Sequence, residues 1–435
     1  MLAKLRQVRG VRVLVRRIGV HRVTMIVGLA QWPMLQLLGV FLPLLPRDPR
    51  LVAVGAPLDR FADNAAYLYV HLSEHHDAAD MHAVWISGSR SVVSRLRAKG
   101  YRAETRWSWQ GVRSTLRAGT FIYSGYRSDV NRWLSPGALA LCLWHGLPIK
   151  RIEADVPTEG TRRRSILDRI AAAGREPAPD YLLSSSEFVT QECFTSAFRV
   201  ASERCWELGY PRTDHLVHSP KLPPAVTIVQ SQQWDELSSA DKVVGLFLTW
   251  RDDRVDDAVD DTLVTRIAEL CGRNGAVMAY KAHYNVAAAA APADHCVVIP
   301  ADADLHAYLG LCDVLITDYS SVALDFMMTR RPIVYYMPDV EHYARTRGFY
   351  VDPLTLPGTV TLDPEAMLNA LEQVLAEPDQ NTWGESDEQF RIQMWGRYDG
   401  HASQTIVERL RNHLKLTAVD TSHAVDAAST TSQAT

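Results

Sequence analysis

The sequence is poor in the features that mark several large functional classes. Its six cysteines, Cys142, Cys193, Cys205, Cys271, Cys296 and Cys312, are scattered, with no CxxC pair and no Cys/His spacing of the zinc-binding kind. Most fall in apolar runs, where a free thiol packs as a small hydrophobe, so no disulfide framework is expected and a reducing compartment, the cytoplasm, is. GxxxxGK[ST], HExxH and GxSxG are missing, and no GxGxxG stands between a strand and a helix as a dinucleotide site requires. Basic residues are not in excess: 46 Lys and Arg face 50 Asp and Glu, a net charge of −4 that argues against a nucleic-acid partner. No internal repeat is visible in the detailed sequence.

Acid is missing from the first 22 residues, which carry Lys4, Arg6, Arg9, Arg12, Arg16, Arg17 and Arg22. Charge of either sign is then missing from residues 23–46. A basic stretch followed by an apolar one reads as a membrane signal, the cations lying against anionic lipid. The run is long enough to span a bilayer, for which about 20 apolar residues suffice. Pro33, Gln31, Gln36, Gly28 and Gly39 weaken a span, and an interfacial helix or a re-entrant hairpin fits as well. A cleaved signal peptide is disfavoured by the long basic region, and a buried hairpin of the first domain is the remaining alternative. Residues 1–50 are therefore expected to form a membrane-associated segment.

From residue 51 onward, short apolar strands alternate with amphipathic helices. LVAVG (51–55), AVWIS (83–87), TFIYS (120–124), ALALCLW (138–144) and YLLSS (181–185) read as buried strands, with helical patterns at 64–72 and 91–99. A second set comprises strands at 243–249, 276–281, 296–299, 313–317 and 333–336, with helices at 256–271, 304–311 and 322–329. Such alternation predicts α/β architecture: two Rossmann-like domains with parallel sheets, facing one another across a cleft. The expected boundaries are 51–213 for the first domain, 214–241 for a Pro-, Ser- and Gln-rich linker, and 242–412 for the second. The Ala/Ser/Thr-rich end, 413–435, is expected to be a disordered tail.

Ligands of doubly wound sheets sit beyond the carboxyl ends of strands, so polar residues just after strands are the candidates. WHGLPIK (144–150) follows the fourth strand, and its His145 has the near-neutral pKa of a general base. A backbone-bonded structural histidine is the alternative, disfavoured by the Gly-x-Pro turn. LITDYSS (315–321) runs from a strand into a helix, where Ser320 or Ser321 can cap and the free amides can meet a phosphate. TWRDD (249–253) offers Arg251 as a phosphate clamp, or alternatively as a surface ion pair. KAHY (281–284) offers His283, which can reach a diphosphate unless it is an ordinary loop histidine. RTRGFY (345–350) is placed to close over a ligand, whereas Arg330 and Arg331 read as solvated helix ends. Arg162, Arg163 and Arg164 read as a solvated charge run, and Asp256, Asp257, Asp260 and Asp261 as an acidic helix start rather than a metal site.

These segments together, in this order, resemble the CDP-glycerol glycerophosphotransferases, the teichoic-acid primases and polymerases of GT-B fold. The resemblance runs over about residues 51–410, through WHGLPIK, the serine-rich strand end at 183–188, GYPRTD (209–214), TWRD, KAH, LITDYSS and RGFY. It implies that His145 is the base at an acceptor hydroxyl. It also implies that Arg251, His283, Ser320 and Ser321 hold the donor diphosphate, His283 stabilising charge on the departing phosphate; Thr249, Thr317, Asp318 and Arg212 of the same segments complete the expected donor site. One departure is Leu147, where the family usually has threonine, which bears on acceptor choice.

The implied reaction moves glycerol phosphate, or a related polyol phosphate, from CDP-glycerol or CDP-ribitol to a lipid-linked acceptor at the cytoplasmic face of the membrane, with release of CMP. It implies no cofactor and no metal, and homo-oligomers are compatible with it. The alternatives are a GT-B glycosyltransferase with a nucleotide-sugar donor and a non-catalytic membrane-bound relative.

Overall fold

The structure, a computed structural model, describes residues 20–75, 80–157, 177–218, 232–248, 261–281, 293–300, 303–377 and 383–416. Two parallel sheets organise it. The first comprises β1 (Asp48–Gly55), β2 (His82–Ser87), β3 (Ala103–Thr105), β4 (Ala118–Tyr123), β5 (Leu139–Cys142), β6 (Tyr181–Ser184) and β7 (Cys205–Glu207), in the order β3-β2-β1-β4-β5-β6-β7. The second comprises β8 (Val243–Phe247), β9 (Val277–Tyr280), β10 (Cys296–Val298), β11 (Val314–Thr317), β12 (Ile333–Tyr336) and β13 (Thr359–Thr361), in the order β10-β9-β8-β11-β12-β13. Helices cover the faces, so the central strands are buried on both sides; Val243–Phe247 has no exposed residue.

The strand order reverses between β1 and β4 in one sheet and between β8 and β11 in the other. Crevices at the carboxyl ends of strands at such switch points are where this architecture binds ligands. The turn after β11 carries Ser320 and Ser321, and His145 follows β5, the neighbour of β4.

The ten strands expected from sequence all form, with ends displaced by no more than three residues. The strands β3, β7 and β13 are not foreseen from sequence, because AET, CWE and TVT are short and mix in polar or charged residues, giving no apolar run to read. The stretch 214–241 is more ordered than a linker: helices Asp214–His218 and Gln232–Ser238 lie within it, and the residues between them fall outside the described set. The second lobe also does not keep its last helices to itself. Glu385–Trp395 and Ala402–His413 cross back onto the first lobe: Ser185 and Ser186 donate to the carbonyls of Met394 and Gln393 at 2.5 and 2.7 Å, and Arg411 pairs with Asp80 at 3.1 Å. Asp214 fixes that return by accepting from the amides of Ala402 and Ser403, both at 2.9 Å.

The amino-terminal apolar run forms one helix, Val20–Phe41, with Pro33 inside it, followed by a short turn over Leu42–Leu44. It is neither a re-entrant nor a buried hairpin. Met34, Leu37, Val40, Phe41 and Leu44 are all more than half exposed, while Leu42 is buried and Gln31 accepts from Arg132. Among the described residues no helix is long and apolar enough to cross a membrane. The expected tail from residue 417 and the basic run Arg162–Arg164 lie outside the described residues. All six cysteines are free and buried.

Candidate active site

His145 is held from three directions. Its ring bonds to the backbone carbonyl of Ser124, the residue after β4. The carbonyl of Trp144 accepts from Asn64 Nδ2 at 2.9 Å, and the His145 carbonyl accepts from Arg212 at 2.7 Å. Trp144 takes a left-handed conformation, φ 56°, which turns the chain sharply out of the sheet and leaves its own indole buried. Asp63, which bonds Arg212 at 2.8 Å, is also left-handed at φ 64°. Two non-glycine residues in this region mark backbone held against its preference by its surroundings, a pattern that clusters at functional sites.

The imidazole is exposed, while Trp144, Gly146, Leu147 and Pro148 are buried. Protein crowds it on the sides away from solvent, and this desolvation lowers its pKa from the ordinary histidine value; Asp63 opposes the shift and Arg212 adds to it. A neutral ring that donates one N–H to the Ser124 carbonyl leaves its other nitrogen as an acceptor, which is the state a general base needs.

The glycine next to His145 meets the turn after β11. A Cβ on Gly146 would stand 2.8 Å from the Ser321 hydroxyl oxygen and 3.1 Å from its Cβ, so the two turns, from different lobes, touch. Lys150 Nζ lies 5.7 Å from the ring centres of both Tyr319 and Tyr343. Residues 347–350 pair with the end of the His145 turn: the Arg151 amide donates to Gly348 O at 3.0 Å and the Tyr350 amide to Ile149 O at 2.9 Å. RGFY therefore forms a short inter-lobe pairing.

Burial separates the expected donor-site residues. Arg212 is 1% exposed and paired with Asp63 and Asp325, so it lies beneath the contact. Thr317 and Asp318 are fully buried, and the Thr317 hydroxyl donates to Phe247 O at 2.5 Å. Ser320 and Ser321 are part-exposed, but neither side chain caps the helix Val322–Phe326; their backbone carbonyls accept its first amides instead, leaving the hydroxyls to the seam. Leu147 is fully buried, which makes its replacement of threonine a matter of packing. Arg331 is partly buried and donates to the carbonyls of Gly310 and Cys312. Thr249, Arg251 and His283 lie outside the described residues.

Comparison with known families bears directly on this arrangement. Residues 46–412 match the profile of the family described as CDP-Glycerol:Poly(glycerophosphate) glycerophosphotransferase. The chain belongs to that family. It is 28% identical over 376 residues to the teichoic acid glycerol-phosphate transferase of Staphylococcus aureus, covering 81% of this chain and 90% of that one. It is 28% identical over 336 residues to the teichoic acid poly(glycerol phosphate) polymerase of Bacillus subtilis, covering 74% of this chain but only 43% of that longer protein. The solved structure of the wall teichoic acid polymerase TagF superposes with a TM-score of 0.67 at 22% identity, over 88% of this chain and 94% of that chain, a likeness of fold.

Within this member of the family, sequence reading misses the polar residues beneath the seam. Asn64 reads as the start of a helix, Asp63 stands unassigned just before it, and His306 reads as part of another helix. His306 Nε2 lies 3.0 Å from Asp325 and its Nδ1 3.4 Å from Asp304. Burial and Arg212 press its pKa down, but Asp304 and Asp325 outweigh them and hold it above the ordinary value. The one available signal is DLH (304–306), a carboxylate and an imidazole shortly before the LITDYSS strand. Among the described residues no group of three or more His, Cys, Asp or Glu is arranged to hold a metal ion.

Proposed function

We propose that the protein transfers a glycerol-phosphate or related polyol-phosphate unit from a CDP-linked donor to a hydroxyl of a lipid-linked acceptor. His145 takes the proton of the acceptor hydroxyl. The freed oxygen forms a bond to the phosphorus that carries the polyol, the bridging P–O bond of the diphosphate breaks, and CMP leaves with the electron pair. Such transfers are catalysed mainly by positioning and by charge stabilisation. In this reading Ser320 and Ser321 meet the diphosphate, with Arg251, His283 and Thr249 completing the donor site in the manner of GT-B enzymes. The acceptor approaches on the first lobe, where a cavity of about 140 Å³ lined by Tyr126, Cys142, Glu153 and Phe198 opens one residue from Ser124. The exposed apolar face of helix Val20–Phe41 rests on the cytoplasmic surface of the membrane that carries the acceptor.

The observation that carries the reading is the contact of the Gly146 and Ser321 turns, which brings the residue after His145 against a hydroxyl-bearing strand-to-helix turn. The test compares thermal stabilisation by CDP-glycerol, CDP-ribitol, and UDP- and GDP-sugars, followed by mass analysis of products formed with a lipid extract. Stabilisation by a CDP-polyol and a product heavier by one polyol phosphate are expected. Selective stabilisation by a nucleotide sugar would favour a glycosyltransferase, and donor binding without any product a non-catalytic relative.

A further inference from the structure

The guanidinium of Arg212 joins three groups that belong to different parts of the site. Nη1 donates to the Asp63 carboxylate at 2.8 Å and to the His145 carbonyl at 2.7 Å, and Nη2 donates to Asp325 at 2.7 Å. Asp325 lies in the helix Val322–Phe326 that leaves the Ser320–Ser321 turn, and is completely buried. The Arg212 backbone amide also bonds Asn64 Oδ1 at 3.2 Å, and Asn64 is the residue that holds the Trp144 carbonyl. One residue thus reaches both backbone supports of the histidine and the helix of the opposite turn.

Buried ion pairs contribute little net stability, because desolvation offsets their attraction. The planar fork of an arginine instead provides direction: several hydrogen bonds at fixed angles, which a lysine cannot reproduce. A displacement of about 1 Å in a reacting group can cost on the order of 10²-fold in rate.

We propose that Arg212 is a positioning residue that holds the His145 loop in register with the donor turn through its pairing with Asp325. The base is then in place only while the two lobes are docked on that pair. This rests on the assignment of His145 as the base, and the test separates the two.

Arg212→Lys keeps the charge and removes the fork. The expected result is a fall in kcat for CMP release from CDP-glycerol of about 10-fold or more, with KM for CDP-glycerol within about 3-fold of the unaltered enzyme. In a His145→Ala background the same substitution is expected to cost less than about 2-fold, because its effect passes through the missing ring. If Arg212→Lys does not fold, as judged by circular dichroism, Asp63→Asn serves instead. It is partly exposed, leaves the Asp325 pair intact, and is expected to give the same loss in kcat alone. A raised donor KM at unchanged kcat would overturn the proposal in favour of direct donor contact. Losses that multiply in the His145→Ala background, or unchanged kinetics, would also overturn it. If His145→Ala itself turns over normally, the base assignment falls; if it is impaired while Arg212→Lys is not, only the present inference falls.

Discussion

His145 works in a shell of buried polar residues, and the sharpest expectations concern that shell. Gly146 is glycine because the opposing turn leaves no room for a side chain. In Gly146→Ala the new methyl must displace Ser321, which is expected to lower turnover by about 10-fold or more while costing roughly 1–3 kcal/mol of stability. Steady-state kinetics with denaturant unfolding checks both; unchanged turnover would mean that the two turns need not touch. The pH dependence is set by the direction of the His145 shift. Desolvation lowers its pKa, so the ring stays neutral, and competent as a base, until the pH falls below the ordinary histidine value. The acid limb of kcat/KM is therefore expected to have its midpoint below about pH 6.5, with activity lost as pH falls through it. A midpoint above neutrality would contradict the assignment.

Elements show where a sequence speaks and where it does not. The α/β rhythm is written in apolar runs of about four to seven residues, and ten of the strands are legible from it. The three short strands β3, β7 and β13 are not, because nothing in AET, CWE or TVT distinguishes them from loop. The polar turns after β5 and β11 are legible by their position alone. The pairing of Arg212 with Asp63 and Asp325 is not: those residues lie 149 and 113 positions away in sequence, the first brought near by the folding of one lobe and the second by lobe docking. Helix Val20–Phe41 is legible as apolar but not as to its partner. Its exposed face supports binding to a lipid surface, so Leu37→Glu with Phe41→Glu is expected to reduce co-sedimentation with anionic vesicles by several-fold. Both positions are more than half exposed, so folding stability is expected to change by less than about 0.5 kcal/mol each. Equal vesicle binding by the variant would show that this helix does not carry membrane attachment.

At the scale of the molecule the two lobes are joined by a buried ionic centre, a short pairing of residues 149–151 with 348–350, and the returning helices. The centre makes stability depend on pH in a definite sense. His306 is held above its ordinary pKa by Asp304 and Asp325 against the effects of burial and Arg212. A raised histidine contributes stability that is complete below the unfolded value, near 6.5, and is lost as pH rises through the folded value. Asp304 acts at the other end. Burial would raise its carboxyl, but the hydrogen bond and charge of His306 outweigh this and hold it at about 2, so its contribution is lost as pH falls from about 4 to about 2. Urea midpoints are accordingly expected to decline above neutrality, and this decline to flatten in His306→Asn. A His306→Asn profile as steep as that of the unaltered protein would show that other groups join the lobes.

Most depends on what the exposed imidazole does. Its direct test is the rate of CMP release from CDP-glycerol, in the presence of lipid acceptor, by the full chain and by His145→Ala, with donor binding monitored by thermal shift. A loss of about 10²-fold or more with donor binding retained is expected. His145→Ala turning over at the unaltered rate would contradict it.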